Sequence, residues 1–281
     1  MNIALKPMMV GIALFAASGT SAAESMPDIL GIQLGMPARD AHAKLQAALP
    51  NQKIEIMSDN LPTIDKPVIK QFSSAPAEEI VSGREADKVT VAVTFPPNKQ
   101  AVWRVVRQHF FANKGIPKTT LLASLREKYG KETLTNISRG KAAADDSKIL
   151  DILWLFDEQG HPAPLSSSPG GKTPDFATTQ KLTSCASGSW DAQLNALEVY
   201  ADLYKGNNPQ TDWCYAHFTG VYAVVTESAV AELYSQMQIV SVSFPLALRA
   251  SEATLKWKKE IAAGQHKQDI EKAKQQEKPK L

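Results

Sequence analysis

Apolar residues recur along this chain with two periods. At steps of three and four they form short stripes, first Met36, Ala41, Leu45 and Leu49, later Leu121, Leu122, Leu125 and Tyr129. That spacing puts side chains on one face of a helix and predicts amphipathic helices up to about Leu49 and over 117–129. At alternate positions they read as strands over 53–57, 88–95, 101–111, 148–156, 212–226 and 232–244, with a shorter extended piece at 68–72. A turn at Pro96–Gln100 makes a hairpin of 88–95 and 101–111, and a turn near Glu227–Val230 pairs the last two strands. The run 148–156 is the most apolar and reads as the central strand. Simple alternation over 101–111 assigns Trp103, Val105 and Arg107 to one face. Pro245 opens a last helix with a partial apolar face from Leu246, Leu248, Ala253, Leu255 and Trp257.

The two helices share an opening. Gly35-Met36-Pro37 leads into the first and Gly115-Ile116-Pro117 into the second, with Ala and Leu at matching places afterwards. Proline presets a helical φ and has no N–H to lose in the first turn, while the glycine lets the chain turn sharply into it. Each copy adjoins β-rich sequence, so the pattern predicts a duplicated helix-plus-sheet unit; two ordinary helices alike by chance are the alternative. The fold class expected is α+β, with two helix-plus-antiparallel-sheet repeats followed by a further antiparallel sheet and a C-terminal helix.

Over about residues 30–156 this arrangement, with Lys128-Tyr129-Gly130 closing the second helix, resembles a group of exported bacterial proteins. The group includes the small lipoprotein of the outer-membrane β-barrel assembly machine and the β-lactamase inhibitory proteins. Here Pro replaces the usual capping Thr, and no lipobox Cys is present. The resemblance implies a scaffold that works by presenting a surface. No inhibitory or assembly residue carries over to this chain.

The N-terminus changes the setting. Lys6, the apolar stretch Met8–Ala17 and the small residues Ser21-Ala22-Ala23 form the pattern of a secretory signal over 1–23, with cleavage before Glu24. The apolar stretch is short for a membrane span and no Cys follows it, so the expectation is a secreted, periplasmic protein without a stable membrane anchor after cleavage. The remainder divides into a repeat-containing α+β domain (24–160), a Pro/Ser/Gly-rich linker or loop (161–180), a disulfide-tied β-rich region (181–255) and a polar, Lys-rich helix or disordered tail (256–281). The tail also reads as a weakly basic docking arm for an acidic partner or an anionic membrane surface.

Charge and chemistry narrow the function further. Lys and Arg number 31 against 29 Asp and Glu, a formal net charge of +2, and this near-balance argues against nucleic acid as a partner. Cys185 and Cys214 lie in the exported part, where two cysteines are most simply paired; two buried thiols or metal ligands are the alternatives. The histidines His42, His109, His161, His217 and His266 have no metal-ligand spacing, so no metal and no cofactor is expected. His42 reads as exposed and His217 as packed in a strand. Asp157-Glu158-x-x-His161 gathers two carboxylates and an imidazole, and reads as a polar turn. No nucleophile elbow and no phosphate-cradling glycine motif occurs. Catalytic residues are therefore none, and the binding residues are unknown. Of the tryptophans, Trp103, Trp154, Trp190 and Trp213 read as core, and Trp257, flanked by lysines, as the most exposed. The reading expected is a non-enzymatic protein that binds another cell-envelope protein. The alternatives are a periplasmic hydrolase with an unrecognised site, or a small-ligand carrier.

Overall fold

The computed structural model describes residues 26–60, 67–74, 85–97, 99–136, 145–163 and 218–274. Residues 1–25, which hold the expected signal segment, Cys185, Cys214, Trp190, Trp213, His217 and nearly all of the 161–180 stretch lie outside them.

The protein is α+β. A two-stranded hairpin of β1 (Asp28–Ile29) and β2 (Ile32–Gln33) leads into α1 (Ala38–Ala48), then β3 (Ile54–Asp59), β4 (Val68–Ser74), β5 (Ala86–Val93) and β6 (Val102–Phe110). The second round is β7 (Ile116–Pro117), α2 (Lys118–Tyr129), β8 (Leu134–Thr135), β9 (Asp151–Leu155), β10 (Thr219–Glu227) and β11 (Leu233–Ser243). The chain then enters α3 (Phe244–Lys274). All pairings are antiparallel and β3 to β11 form one sheet in the order β3-β4-β5-β6-β11-β10-β9-β8, with β7 beside β11.

The order is a mirror of itself, and the hydrogen bonds explain why. In the first unit Pro37 bridges Ala101, and the N–H of Ala38 donates to Gln100 O at 2.9 Å. In the second, Pro117 pairs with Leu233, and the N–H of Lys118 donates to Glu232 O at 3.0 Å. Each helix is thus stapled to the start of its own unit's last strand by the residue pair that opens it. Arg107 and Ile239 lie equally far beyond these two contacts, and they pair directly with each other. A local two-fold axis therefore passes through that pair and relates the halves. The two glycines behind the repeat serve one backbone need, since Gly35 has φ +82° and Gly115 φ +131°.

The sheet separates two cores. On one face, Ala41 and Leu45 of α1 and Leu121, Leu122 and Leu125 of α2 cover Val91, Val105, Ile152, Trp154, Val221 and Ile239. On the other, Phe244 and Ala247 of α3 pack with Trp103, Leu153, Tyr222, Val240 and Val242. Trp154 also donates its indole N–H to Gly130 O at 3.0 Å, which ties the end of α2 to β9.

Three local expectations are revised by this architecture. The strand near 148–156 lies one in from the sheet's edge, while β6 and β11 are central. It is buried on both faces, which is why its sequence resembles a central strand. Trp103 does not share a face with Val105: Ala92 pairs with Arg104 and Val93 with Val102, so Trp103 is the extra residue of a bulge and turns to Phe244, 6.3 Å between ring centroids. His42 is half-buried, edge-on to Phe72 at 5.2 Å. The strands before and after the 161–180 stretch share one sheet. Both cysteines fall in the chain between β9 and β10, where the first unit has only the shorter connection from β4 to β5.

Candidate functional site

Three features of the described residues exceed what the scaffold needs. The first is α3. Thr254 is its last fully buried residue, with its hydroxyl donating to Pro96 O at 2.6 Å. Trp257, Lys258 and Ile261 are half-buried, and every residue from Ala262 to Lys274 is exposed. At 1.5 Å per residue the helix runs for about 46 Å, and its outer half projects from the body. This half carries Lys256, Lys258, Lys259, Lys267, Lys272 and Lys274 against Glu260, Asp269 and Glu271. Lys259, Ala263, Lys267, Ile270 and Lys274 follow at steps of three or four and so share one face, on which Ile270 is 42% exposed. The basic residues of the last turn suit the negative end of the helix. Trp257 and Ile261 continue the face of Ala250 and Thr254 as its last half-buried apolar residues, and beyond Ile261 no described residue of the helix is buried.

The second is a charged cluster on the helix-covered face at the two-fold axis. Asp87 of β5 accepts from Arg107 of β6 through both oxygens, Nε at 2.5 Å and a terminal nitrogen at 3.0 Å. His109 Nδ1 lies 3.0 Å from the same carboxylate and 3.3 Å from the guanidinium. Its Nε2 faces the exposed Glu85 at 3.4 Å, and Phe111 stands edge-on to the ring at 4.5 Å. Burial by itself pushes the Asp87 carboxyl up; the hydrogen bonds from His109 and Arg107 outweigh it and lower it to about 2. Asp87 and Glu85 address opposite ring nitrogens, so the three groups do not converge on a point where a metal would sit. Gln52 donates to Asp87 O at 3.1 Å, and its own side-chain oxygen is buried without a partner.

The two-fold axis supplies a comparison within the molecule. The pairs Asp87↔His109 and Val89↔Arg107 correspond to Val221↔Ser241 and Ala223↔Ile239 in the second unit. Asp87, Arg107 and His109 thus stand where the other half has Val221, Ile239 and Ser241. The scaffold does not require charge there. Sequence reasoning did not single out this cluster, because its members come from two strands and alternation alone cannot rank a polar residue on a buried face.

The third is the sheet's outer strand. In β3, Glu55, Ile56, Met57 and Ser58 are all exposed, Ile56 at 51% and Met57 at 52%.

Asp157-Glu158-x-x-His161 is a polar turn, as expected. Asp157 accepts from the N–H groups of Gln159 and His161, each at 2.9 Å, and lies 3.0 Å from His161 Nδ1. Glu158 accepts from Arg249 of α3 at 2.8 Å. Asp157 and His161 are spent on the turn itself and Glu158 on its contact with α3, and all three side chains face water. Lys118 is buried and equally committed, donating to Glu227 at 2.5 Å and to Ser147 O at 3.0 Å. Cys185 and Cys214 lie outside the described residues. Among the described residues no three His, Cys, Asp or Glu side chains gather as a metal site, and no helix is long and apolar enough to cross a membrane. No family model, no curated protein and no solved structure matches the chain.

Proposed function

We propose that this chain is an exported binding protein that takes hold of another cell-envelope protein through the projecting half of α3. The observation that carries this reading is the projecting outer half of α3, where six lysines between Lys256 and Lys274 stand against Glu260, Asp269 and Glu271 and every residue from Ala262 to Lys274 is exposed. An isolated helix of this length is marginal in water, and a helix that is polar all round commonly bridges to something outside its own domain. The α+β body holds the helix by its first turns, where Phe244, Ala247, Ala250 and Thr254 are buried. The partner this chemistry selects has an acidic surface with an apolar spot for Ile270.

Photo-cross-linking residues placed at Lys267 and Ile270 test this in cells, with Val230, 40% exposed in the β10–β11 turn, as the control site. The expected result is one dominant envelope protein captured from the helix and not from the turn. Lys267→Glu with Lys274→Glu weakens that capture, and Gly264→Pro breaks the helix and abolishes it. Capture that is equal from all three sites, or absent from the helix, would overturn the reading.

A further inference from the structure

We infer that two copies of this protein pair through β3, edge to edge and antiparallel, with Ile56 of one copy opposite Ile56 of the other. This rests on features separate from the α3 reading. Among the described residues, β3 ends the nine-stranded sheet, and β4 occupies only one of its edges. An exposed strand edge presents unpaired N–H and C=O groups, a ready template for another strand.

The apolar pattern across the sheet points beyond that edge. Val105 pairs with Val91, Val91 with Phe72 and Phe72 with Ile56, which makes one row on the face covered by α1. Val105, Val91 and Phe72 are 0%, 0% and 1% exposed, and the row then ends in water at Ile56 with 51%. Ile54, on the same face, is already packed on this core. A second copy in the stated register continues the row through its own Ile56 and Phe72.

Charge selects both the partner and the register. With Ile56 opposite itself, Lys53 stands opposite Asp59 of the second copy, and the reverse pair forms at the other end. Sliding by one pair in either direction sets Glu55 against Glu55 or Glu55 against Asp59, which opposed strands disfavour. Lys53 is 81% exposed at its side chain and Asp59 48%, so both reach outward despite their contacts with Glu55 and Lys70. The register shift between β3 and β4 skips Lys70 of β4, which leaves β3 itself without an extra residue from Ile54 to Asp59. In this arrangement the α1 helices of both copies lie on the same face of a continuous sheet. The chain's own two units meet in the same way at β6 and β11.

The test is oligomeric state. Light scattering with size-exclusion chromatography of the mature protein gives a concentration-dependent dimer. Ile56→Lys raises its dissociation constant more than tenfold with an unchanged circular dichroism spectrum. Lys53→Asp weakens the dimer about tenfold by facing Asp59 with a like charge twice, and Lys53→Asp with Asp59→Lys restores it. Ile56→Cys forms an inter-chain disulfide under mild oxidation, and Val230→Cys does not. A wild-type protein that stays monomeric at the highest concentration reached overturns the inference. So does a dimer that ignores Ile56→Lys and the charge exchange. Neither result bears on capture through α3.

Discussion

Replacing Asp87 with alanine isolates the one charged cluster that the second half of the molecule does without. The carboxylate holds Arg107 bidentately and His109 at 3.0 Å, and only 16% of its side chain is exposed. Its pKa of about 2 against the ordinary 3.8 corresponds to about 2 kcal/mol of stability near neutral pH. Because the folded value is depressed, this contribution is fully present above about 3.8 and is lost as pH falls towards 2. Asp87→Ala removes it and also leaves a guanidinium beside an imidazole at 3.3 Å with no carboxylate between them. Breaking a buried pair from one side costs about 3–5 kcal/mol. Arg107 keeps 23% of its side chain in water, so about 3 kcal/mol is the expected loss, or about 6–12 °C in Tm. Urea melts of the wild type and variant near pH 7 measure it, and repeating them towards pH 2 brings the two curves together. The internal comparison adds a sharper arm. Asp87→Val with Arg107→Ile and His109→Ser installs the residues of the second unit and returns stability to within about 1.5 kcal/mol of the parent. A single variant within about 0.5 kcal/mol of wild type near pH 7, or a gap that persists at low pH, would falsify the account of Asp87.

Ser241 is 0% exposed and its hydroxyl is buried without a partner, so Ser241→Ala is expected to leave stability unchanged or raise it by about 1 kcal/mol in thermal melts. Gly115→Ala is expected to cost well over 2 kcal/mol, because the new Cβ runs into the carbonyl oxygen of Tyr234 at a positive φ; Gly35→Ala, with nothing within 4 Å, costs about 1 kcal/mol of backbone strain alone. Equal losses in chemical denaturation would contradict the difference in packing behind the two repeats. Gly264 also has open space around it, and Gly264→Ala is expected to raise helical circular dichroism and stabilise the arm by about 1 kcal/mol without changing the melting of the body.

The local elements were legible because their signals are local. Pro37 and Pro117 mark where α1 and α2 begin, Gly130 marks where α2 stops, and alternation located β3, β5, β6, β9 and β11 to within a few residues and the end of β10, whose expected start at 212 lies outside the described residues. The repeat was visible at its opening, where glycine and proline meet the same backbone demand twice. The Asp157 turn was legible as a turn, and over 256–274 the tail is helical, one of the two forms that its polar, Lys-rich sequence left open. What the one-dimensional pattern could not carry was who pairs with whom. Alternation shows that a strand has two faces but not its neighbour, so β9 passed for a central strand. A bulge breaks the period by one residue, which is why Trp103 changed sides.

The sequence by itself determined the α+β class, the duplicated entry into the helices and most of the strand positions. Each of these follows from steric preference and burial within about a dozen residues. Only the tertiary structure decided that both halves share one sheet, that β6 and β11 meet at its centre and that β3 is left at its rim. It also brought Asp87 onto Arg107 and His109 from separate strands. Hydrogen-bond pairing across a sheet is long-range in sequence and nearly indifferent to side-chain identity, so its outcome is fixed by the packing of the whole core.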